Sequence, residues 1–321
     1  MRRQPILLAV LALVLAAACQ PSGSTGSAAS PSSAAGGSVA AASPAASAAA
    51  GTASVVPVII SSQQIVGGNR FVFSFLDAKT NLPAATPDRS ASVSFIAPGE
   101  TSPGTAVPAT FVWAIQGSRG EYIAHPTFAS AGGWKAIFVT QAAGKPPEAI
   151  GVSFDVLLKG TGIGVGDPAP ASHTPTLADV GGDVRMISSD PTPDQSFYTV
   201  SVDTALARHT PFILIFATPA FCQSAQCGPT LNHLKLIKAT SPSSVAFINV
   251  EPYILKYTEG RLQPVLDANN QLQPGQSVTQ WGILTEPWIF AVDRTGVVRG
   301  SFEGVATDDE LTTVIAAIAA S

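Results

Sequence analysis

The sequence predicts two folded parts, an all-β sandwich followed by an α/β domain, and three observations support this prediction. Between residues 55 and 159, apolar and polar residues alternate in short runs, which is typical of half-buried strands. Between residues 172 and 321, continuous apolar runs alternate with stretches of helical periodicity, which indicates strands covered on both faces. Residues 160–171 read GTGIGVGDPAPA, and such glycine and proline punctuation is typical of a linker between domains.

The beginning of the chain has the layout of a secretory signal. Two arginines precede an apolar stretch, and small residues stand directly before Cys19. This arrangement resembles the lipobox of bacterial lipoproteins, in which the signal is cleaved before a cysteine that then carries lipid, although Ala16 stands where Leu is commoner. The resemblance implies a signal peptide over residues 1–18, lipid on Cys19, and a protein anchored at the extracytoplasmic face of the cell membrane. An ordinary secretory signal or an uncleaved anchor is the alternative.

Composition predicts a tether after the signal and excludes one class of partner. Within residues 19–54, the segment after Cys19 is almost entirely Ser, Ala, Gly, Pro and Thr, without a charged or aromatic residue. Such a segment cannot bury enough apolar surface to offset the entropy cost of ordering, so we expect it to be disordered. The chain has a net charge of −4 and no basic run, and it therefore lacks the clustered basic face that nucleic-acid binding needs.

The sandwich prediction depends on period-two alternation. Phe71, Phe73 and Phe75 lie on one face of the first run. The pattern recurs in four further runs, Ala91 to Phe95, Phe111 to Ile115, Trp134 to Phe138 and Ile150 to Val156. About six or seven short strands in about 105 residues, separated by turn signals, are typical of an immunoglobulin-like sandwich. No cysteine lies in residues 55–159, so we expect no disulfide between its sheets.

The α/β part alternates helices and strands along the chain. The first predicted elements are a short helix over 201–208 and a strand over the apolar run PFILIFA at 211–217. A helix follows, with Leu231, Leu234 and Ile237 at helical spacing. The last predicted elements are a strand over 244–250, a short helix over 277–283, a hairpin of 288–292 with 297–302, and a final helix whose capping box pairs Thr307 with Glu310.

Two cysteines lie between the strand and the helix, in the stretch FATPAFCQSAQCGPT. If Cys19 carries lipid, Cys222 and Cys227 are an even pair in an oxidising compartment, where a disulfide is the simplest expectation. A disulfide needs Cα atoms within about 7 Å, so the turn between them must be non-helical. Pro229 suits a first helical turn, which favours a helix that starts near Cys227. The helix end would lower the thiol pKa of Cys227, whereas Cys222 would be the more accessible sulfur, and the order of attack stays open.

Three motifs in this part resemble those of the thioredoxin fold. FATPAFC places a cysteine directly after a buried strand, and VGDPAPA resembles the opening of extracytoplasmic thioredoxin-like and peroxiredoxin-like proteins. TEPWIFAVDRTGVV resembles the family's segment with a cis-proline at the start of a hairpin, which maps to Pro287. The resemblance covers about residues 165–321 and implies a thioredoxin-like domain over 172–321.

The resemblance also implies a site and an activity. The site would comprise Cys222, Cys227, Pro287 and Glu286, and it would carry out thiol–disulfide exchange with extracytoplasmic protein thiols or disulfides, without a cofactor. Thr230 stands in place of the second cysteine of the family's Cys-Gly-Pro-Cys motif, while Cys222 lies nearer to the family's attacking position. The strand before the cysteines carries no acid, and Glu286 stands where many relatives have a small or apolar residue. A carboxylate there would disfavour a nearby thiolate, accept a proton or contact a partner.

Two other hypotheses stay open at this point. Soft thiolates select Cu(I), and copper-assembly proteins of the SCO type share the fold and a cysteine pair. The candidate ligands would be Cys222, Cys227 and His233, but His233 follows Cys227 closely and no histidine occurs near the hairpin. In the other hypothesis the disulfide is only structural, the chain is a non-catalytic binding module, and the sandwich is its recognition surface.

Overall fold

The computed structural model describes residues 53–321. The predicted signal peptide, Cys19 and the tether up to residue 52 lie outside the described residues. Within residues 53–321, no helix has the length and apolar character needed to cross a membrane.

The first part of the described chain consists of eleven strands. They are β1 (Val55–Ile59), β2 (Gln64–Ile65), β3 (Gly67–Gly68), β4 (Phe71–Asp77), β5 (Ser90–Ile96), β6 (Val107–Pro108), β7 (Thr110–Ile115), β8 (Arg119–Ala124), β9 (Thr127–Phe128), β10 (Gly132–Gln141) and β11 (Glu148–Leu157). One sheet has the order β1-β4-β8-β7 and the other β2-β11-β10-β5-β6, while β3 and β9 form a separate pair. Neighbouring strands are antiparallel except for β2 and β11, which are parallel. The β-rich architecture fits the predicted all-β sandwich, with very short strands added to those that the alternation predicted.

Aromatic side chains fill the space between the two sheets. Phe71, Phe73 and Phe75 are fully buried, as the alternation in β4 predicts. The ring of Phe73 lies 4.8 Å from that of Phe138 in the opposite sheet and 5.4 Å from that of Tyr122. Burying such rings is among the largest apolar contributions a core can receive, so this cluster holds the two sheets together.

The second part of the described chain combines helices and strands. It begins with three short 3₁₀ helices, Leu177–Val180, Val184–Met186 and Gln195–Tyr198. Then follow α1 (Val202–Ala207), β12 (Phe212–Phe216), α2 (Cys227–Thr240), β13 (Ala246–Val250), β14 (Leu255–Thr258), β15 (Arg261–Pro264), α3 (Gln276–Trp281), β16 (Trp288–Val292), β17 (Val298–Glu303) and α4 (Asp308–Ala320). The main sheet has the order β13-β12-β16-β17, in which β12 and β13 are parallel and the other pairs antiparallel. The hairpin of β14 and β15 lies in a segment for which the sequence predicted no element.

Strand β12 is covered on both faces, as its continuous apolar run predicts. All five residues of β12 are fully buried. Ile213 and Ile215 pack into a cluster with α2 and α4, whereas Phe212, Leu214 and Phe216 pack with α1 and α3 on the opposite face. The cysteine loop follows the end of this strand, and its start is therefore anchored in the most buried element of the sheet.

Helix α4 begins with the predicted capping box. The backbone N–H of Glu310 donates to Thr307 Oγ1 at 3.1 Å, and the N–H of Thr307 donates to Glu310 Oε2 at 2.9 Å. The other carboxylate oxygen of Glu310, Oε1, accepts a hydrogen bond from Arg70 Nε at 2.7 Å. Arg70 lies just before β4. Arg70 also donates to the backbone carbonyls of Glu303 and Val305. The sandwich is thereby tied to the turn that leads into α4.

Candidate active site

The cysteine loop runs from the end of β12 to the first turn of α2. Cys222 lies in the loop and Cys227 is the first residue of the helix. Their Cα atoms are 5.9 Å apart, and the two residues form a disulfide. Ala225 has a φ of 63°, in the left-handed region, so the chain between the cysteines is non-helical, as the spacing requires.

The two sulfurs have different surroundings. Cys227 is fully buried, whereas Cys222 is partly exposed. The backbone N–H of Cys227 donates to Cys222 Sγ at 3.1 Å, and the Ser224 hydroxyl lies 3.3 Å from the same sulfur. The sequence argument assigned the influence of the helix end to Cys227, but the first N–H of α2 points back to the loop and reaches Cys222 instead. A thiolate on the accessible sulfur would therefore receive both the hydrogen bond and the positive helix end.

Residue 286 contacts the cysteine loop through its side chain and its backbone. The N–H of Gln223 donates to Glu286 Oε1 at 2.9 Å, and the Ser224 hydroxyl donates to the Glu286 carbonyl at 2.8 Å. The Glu286–Pro287 peptide bond is cis, as the resemblance implies, and it leads directly into β16. One carboxylate oxygen of Glu286 and the sulfurs of Cys222 and Cys227 all lie within 4.8 Å of one another.

Tyr253 completes the surroundings of the carboxylate. Its hydroxyl donates to Glu286 Oε2 at 2.7 Å. Burial raises the pKa of Tyr253, and the hydrogen bond to Glu286 together with the charge of that carboxylate raises it further, so the phenol stays a donor at neutral pH. Sequence reasoning missed Tyr253, because it lies in the irregular segment after β13 where no periodic pattern marks it.

The candidate copper ligand His233 lies elsewhere on α2. Its Nε2 pairs with Asp308 Oδ1 of α4 at 2.6 Å. Within residues 53–321, the group able to hold a metal ion consists of Cys222, Cys227 and Glu286, and His233 is not part of it. The structure thus places a carboxylate, instead of a histidine, beside the two sulfurs.

Glu251, a partly buried acid, is linked to the start of the loop through Ser189. Glu251 follows β13, and its Oε1 accepts a hydrogen bond from the N–H of Ser189 at 2.6 Å. The Ser189 hydroxyl in turn accepts from the N–H of Ala220, two residues before Cys222. Burial raises the pKa of the Glu251 carboxyl to about 7. Glu251 is therefore linked through Ser189 to the segment before the cysteine loop.

A cavity of about 600 Å³ opens beside the loop. Its lining includes Ala220 and Phe221 from the segment before Cys222, and Gly260 to Pro264 from the turn before β15 and from β15 itself. The rest of the lining comes from Arg185, Ser188, Ser189, Asp190, Pro191 and Pro193. The cavity is adjacent to the cysteine loop through Phe221, the residue before Cys222, and its volume lies in the range of ligand-binding pockets.

No family model and no curated protein matches the chain. Among solved structures, a protein of the DUF4426 family from Pseudomonas aeruginosa PAO1 is similar over 29% of this chain and 77% of its own length, with 12% sequence identity and a TM-score of 0.20. A likeness of this size carries no argument about fold or function.

Proposed function

We propose that the chain is a membrane-anchored, extracytoplasmic thiol–disulfide exchange protein that acts through Cys222 and Cys227. The observation that carries the proposal is the asymmetry of the pair: the partly exposed sulfur of Cys222 accepts the first N–H of α2, while Cys227 is buried behind it. A nucleophilic thiol needs access and a stabilised thiolate, and a resolving thiol needs only proximity. Cys222 is accordingly the attacking residue and Cys227 the resolving one.

Strand order supports a thioredoxin-like assignment for the second part of the chain. The first two strands, β12 and β13, are parallel, and an antiparallel pair, β16 and β17, joins the β12 side of the sheet. Helix α2 starts at the cysteines, and Pro287 opens β16 next to them. The strand orders of the two sandwich sheets support an immunoglobulin-like assignment for the first part.

The exchange proceeds in two balanced steps. The Cys222 thiolate attacks one sulfur of a substrate disulfide, forms a mixed disulfide, and releases the other substrate sulfur as a thiolate. Cys227 then loses its proton and attacks the Cys222 sulfur, which releases the second substrate thiolate and leaves the Cys222–Cys227 disulfide. Two electrons pass from the protein to the substrate, and an external dithiol must reduce the protein again. We infer that Glu286, whose carboxylate lies close to both sulfurs, accepts the proton of Cys227.

The redox potential tests this function. The full chain carrying Cys19→Ser has two thiols, which are counted by alkylation and mass after equilibration in glutathione buffers. We expect a potential above about −300 mV, since structural disulfides of secreted proteins lie below that value. A lower potential, with no mixed disulfide formed by Cys227→Ser, would overturn the proposal in favour of a structural bridge in a binding module.

Copper handling is the second candidate, and the cluster of Cys222, Cys227 and Glu286 is the observation that favours it. Two thiolates suit Cu(I), whereas a carboxylate oxygen is a hard ligand that suits it poorly. The reduced chain is titrated with Cu(I) in the presence of a competing chelator. Tight binding of one ion per chain that is lost in Cys222→Ser and in Cys227→Ser would favour this candidate over thiol exchange.

The anchor is proposed on Cys19. Lipid on this residue would hold the folded part at the extracytoplasmic face, where protein thiols and disulfides are its partners. Mass analysis of the chain purified from a bacterial membrane tests it: the wild type is expected to begin at a lipid-modified Cys19, and Cys19→Ser to lack the modification.

A further inference from the structure

Two residues of the sandwich contact the cysteine loop directly. Arg119 Nη1 donates to the carbonyl of Ser224, between the two cysteines, at 2.6 Å. Gln226, which immediately precedes Cys227, donates from Nε2 to Glu121 Oε1 at 2.6 Å. Arg119 and Glu121 are two apart on β8 and so point to the same face of their sheet. This face of the sandwich covers the loop that closes the disulfide.

The contact at Glu121 is a buried one. Glu121 is fully buried, and its Oε2 has no hydrogen-bond partner within the described residues. Gln226 Oε1 is likewise buried without a partner, which leaves an acid and an amide facing each other. Burial raises the pKa of the Glu121 carboxyl to about 7, against the opposing effects of Gln226, Arg70 and Arg119. Burying such a pair is costly, which distinguishes it from a casual surface contact.

Three charged groups act on Glu121. Arg70 and Arg119 lower its pKa and Glu303 of β17 raises it. Arg70 is itself paired with Glu310 of α4. Glu121 thus belongs to a network of charged residues contributed by both parts of the chain, and Gln226 links this network to the cysteine loop.

We propose that Arg119 and Glu121 are positioning residues of the dithiol, through which the sandwich sets the redox equilibrium of Cys222 and Cys227. Disulfide cleavage releases the constraint on residues 223–226, so the loop that these two residues contact differs between the oxidised and reduced protein. A contact that is stronger in one redox form shifts the redox equilibrium toward that form. The size of the shift is set by the difference in contact free energy between the two forms. The inference rests on the proposed function, because tuning of the redox equilibrium has a role only if the two cysteines carry out exchange. The coupling between the sandwich and the disulfide itself requires only that the disulfide forms and breaks.

The two residues should act in opposite directions. The guanidinium of Arg119 favours a thiolate, which exists only in the reduced form, so Arg119→Gln is expected to favour the disulfide. An ionised Glu121 disfavours a thiolate, so Glu121→Gln is expected to favour the reduced form at pH 8, and to have a smaller effect at pH 6, where a larger share of the carboxyl carries a proton. For Arg119→Gln we expect a shift of about 3- to 10-fold in the equilibrium constant with glutathione, or about 15–30 mV.

The test uses the full chain with Cys19→Ser, equilibrated in glutathione buffers at pH 6 and pH 8. Arg119→Gln, Arg119→Lys and Glu121→Gln are compared with Lys135→Gln, a control at an exposed position on β10 in the other sheet. Arg119→Lys keeps the charge and is expected to lie between wild type and Arg119→Gln. Thermal unfolding of the oxidised and the reduced form is measured for each variant. This measurement shows whether a substitution changes the stability of one redox form more than that of the other.

The outcomes separate this inference from the proposed function. Equal destabilisation of both forms, with redox constants equal to that of wild type in Arg119→Gln and Glu121→Gln, would overturn the inference, because the contacts would then only hold the two parts together. A wild-type potential below about −300 mV would count against the proposed function, while a shift in the variants would still support the coupling. Arg119→Lys, which conserves charge and most of the volume, keeps the test decisive if Arg119→Gln does not fold.

Discussion

The backbone N–H of Cys227 donates to the sulfur of Cys222 across 3.1 Å. The contact joins the first residue of α2 to a loop residue that remains partly exposed. Because a helix N-terminus stabilises negative charge, this hydrogen bond supports the proposal that Cys222 carries the thiolate and Cys227 resolves the mixed disulfide.

Single serine variants should therefore behave unequally. In Cys227→Ser the remaining Cys222 is expected to react with oxidised glutathione and to accumulate as a mixed disulfide, with an alkylation midpoint below the ordinary thiol value of about pH 8.5. In Cys222→Ser the buried Cys227 is expected to react at least about tenfold more slowly. Mass spectrometry over time and rates of iodoacetamide labelling measure both. Faster reaction of Cys227 would reverse the assignment of the two roles.

Glu286 should tune the reactivity of Cys222. A carboxylate beside a sulfur disfavours its thiolate, so Glu286→Gln is expected to lower the alkylation midpoint of Cys222, measured in the Cys227→Ser background, by about one pH unit. The amide can still accept the N–H of Gln223, so the loop geometry is kept. Tyr253→Phe removes the other partner of the carboxylate and keeps its charge, so it is the matched control. A midpoint that rises in Glu286→Gln would contradict the expected electrostatic effect.

Folding stability should depend on pH through Glu251. Burial raises the pKa of this carboxyl to about 7, against an ordinary value of 4.5. Between these values the folded protein binds the proton and the unfolded chain does not, so the free energy of unfolding falls as pH rises from about 4.5 to about 7, and levels off above. The group contributes at most about 3 kcal/mol to this loss. Urea unfolding between pH 5 and pH 8 measures it, and Glu251→Gln is expected to flatten the slope; an unchanged slope would contradict the assignment.

The ion pair between Arg70 and Glu310 should be a major contact between the sandwich and the α/β part of the chain. Their side chains are only 12% and 17% exposed, and Arg70 also donates to two backbone carbonyls. Arg70→Ala removes the donor to these carbonyls and leaves the Glu310 carboxylate with only the N–H of Thr307, so it is expected to cost about 2–4 kcal/mol in the free energy of unfolding. Arg185→Ala is the control, since its 70% exposed side chain pairs with Asp183 in solvent and should cost less than about 1 kcal/mol. Similar losses in both variants by urea unfolding would contradict the prediction.

Local elements followed closely from the sequence, and long-range contacts did not. The apolar run 211–217 predicted β12, and the Thr307 and Glu310 pattern predicted the start of α4, because periodicity and capping depend on neighbours in the chain. The alternation did not mark residues 119–124, yet they form β8, in which residues 120–124 are all buried. Glu121 is excluded from solvent because Gln226 of the other part packs against it, and no local pattern contains that information.

By itself, the sequence determined the main apolar strands and the helices of the α/β part, and the need for a non-helical turn between Cys222 and Cys227, since a bridge across five residues cannot form within a helix. Only the tertiary structure decided which sulfur accepts the hydrogen bond from the start of α2, because that depends on the direction of one N–H bond. It also decided what surrounds the pair. Glu286 reaches Gln223 from 63 residues away and Arg119 reaches Ser224 from 105 residues away, and contacts of that separation arise from packing, which local periodicity does not encode.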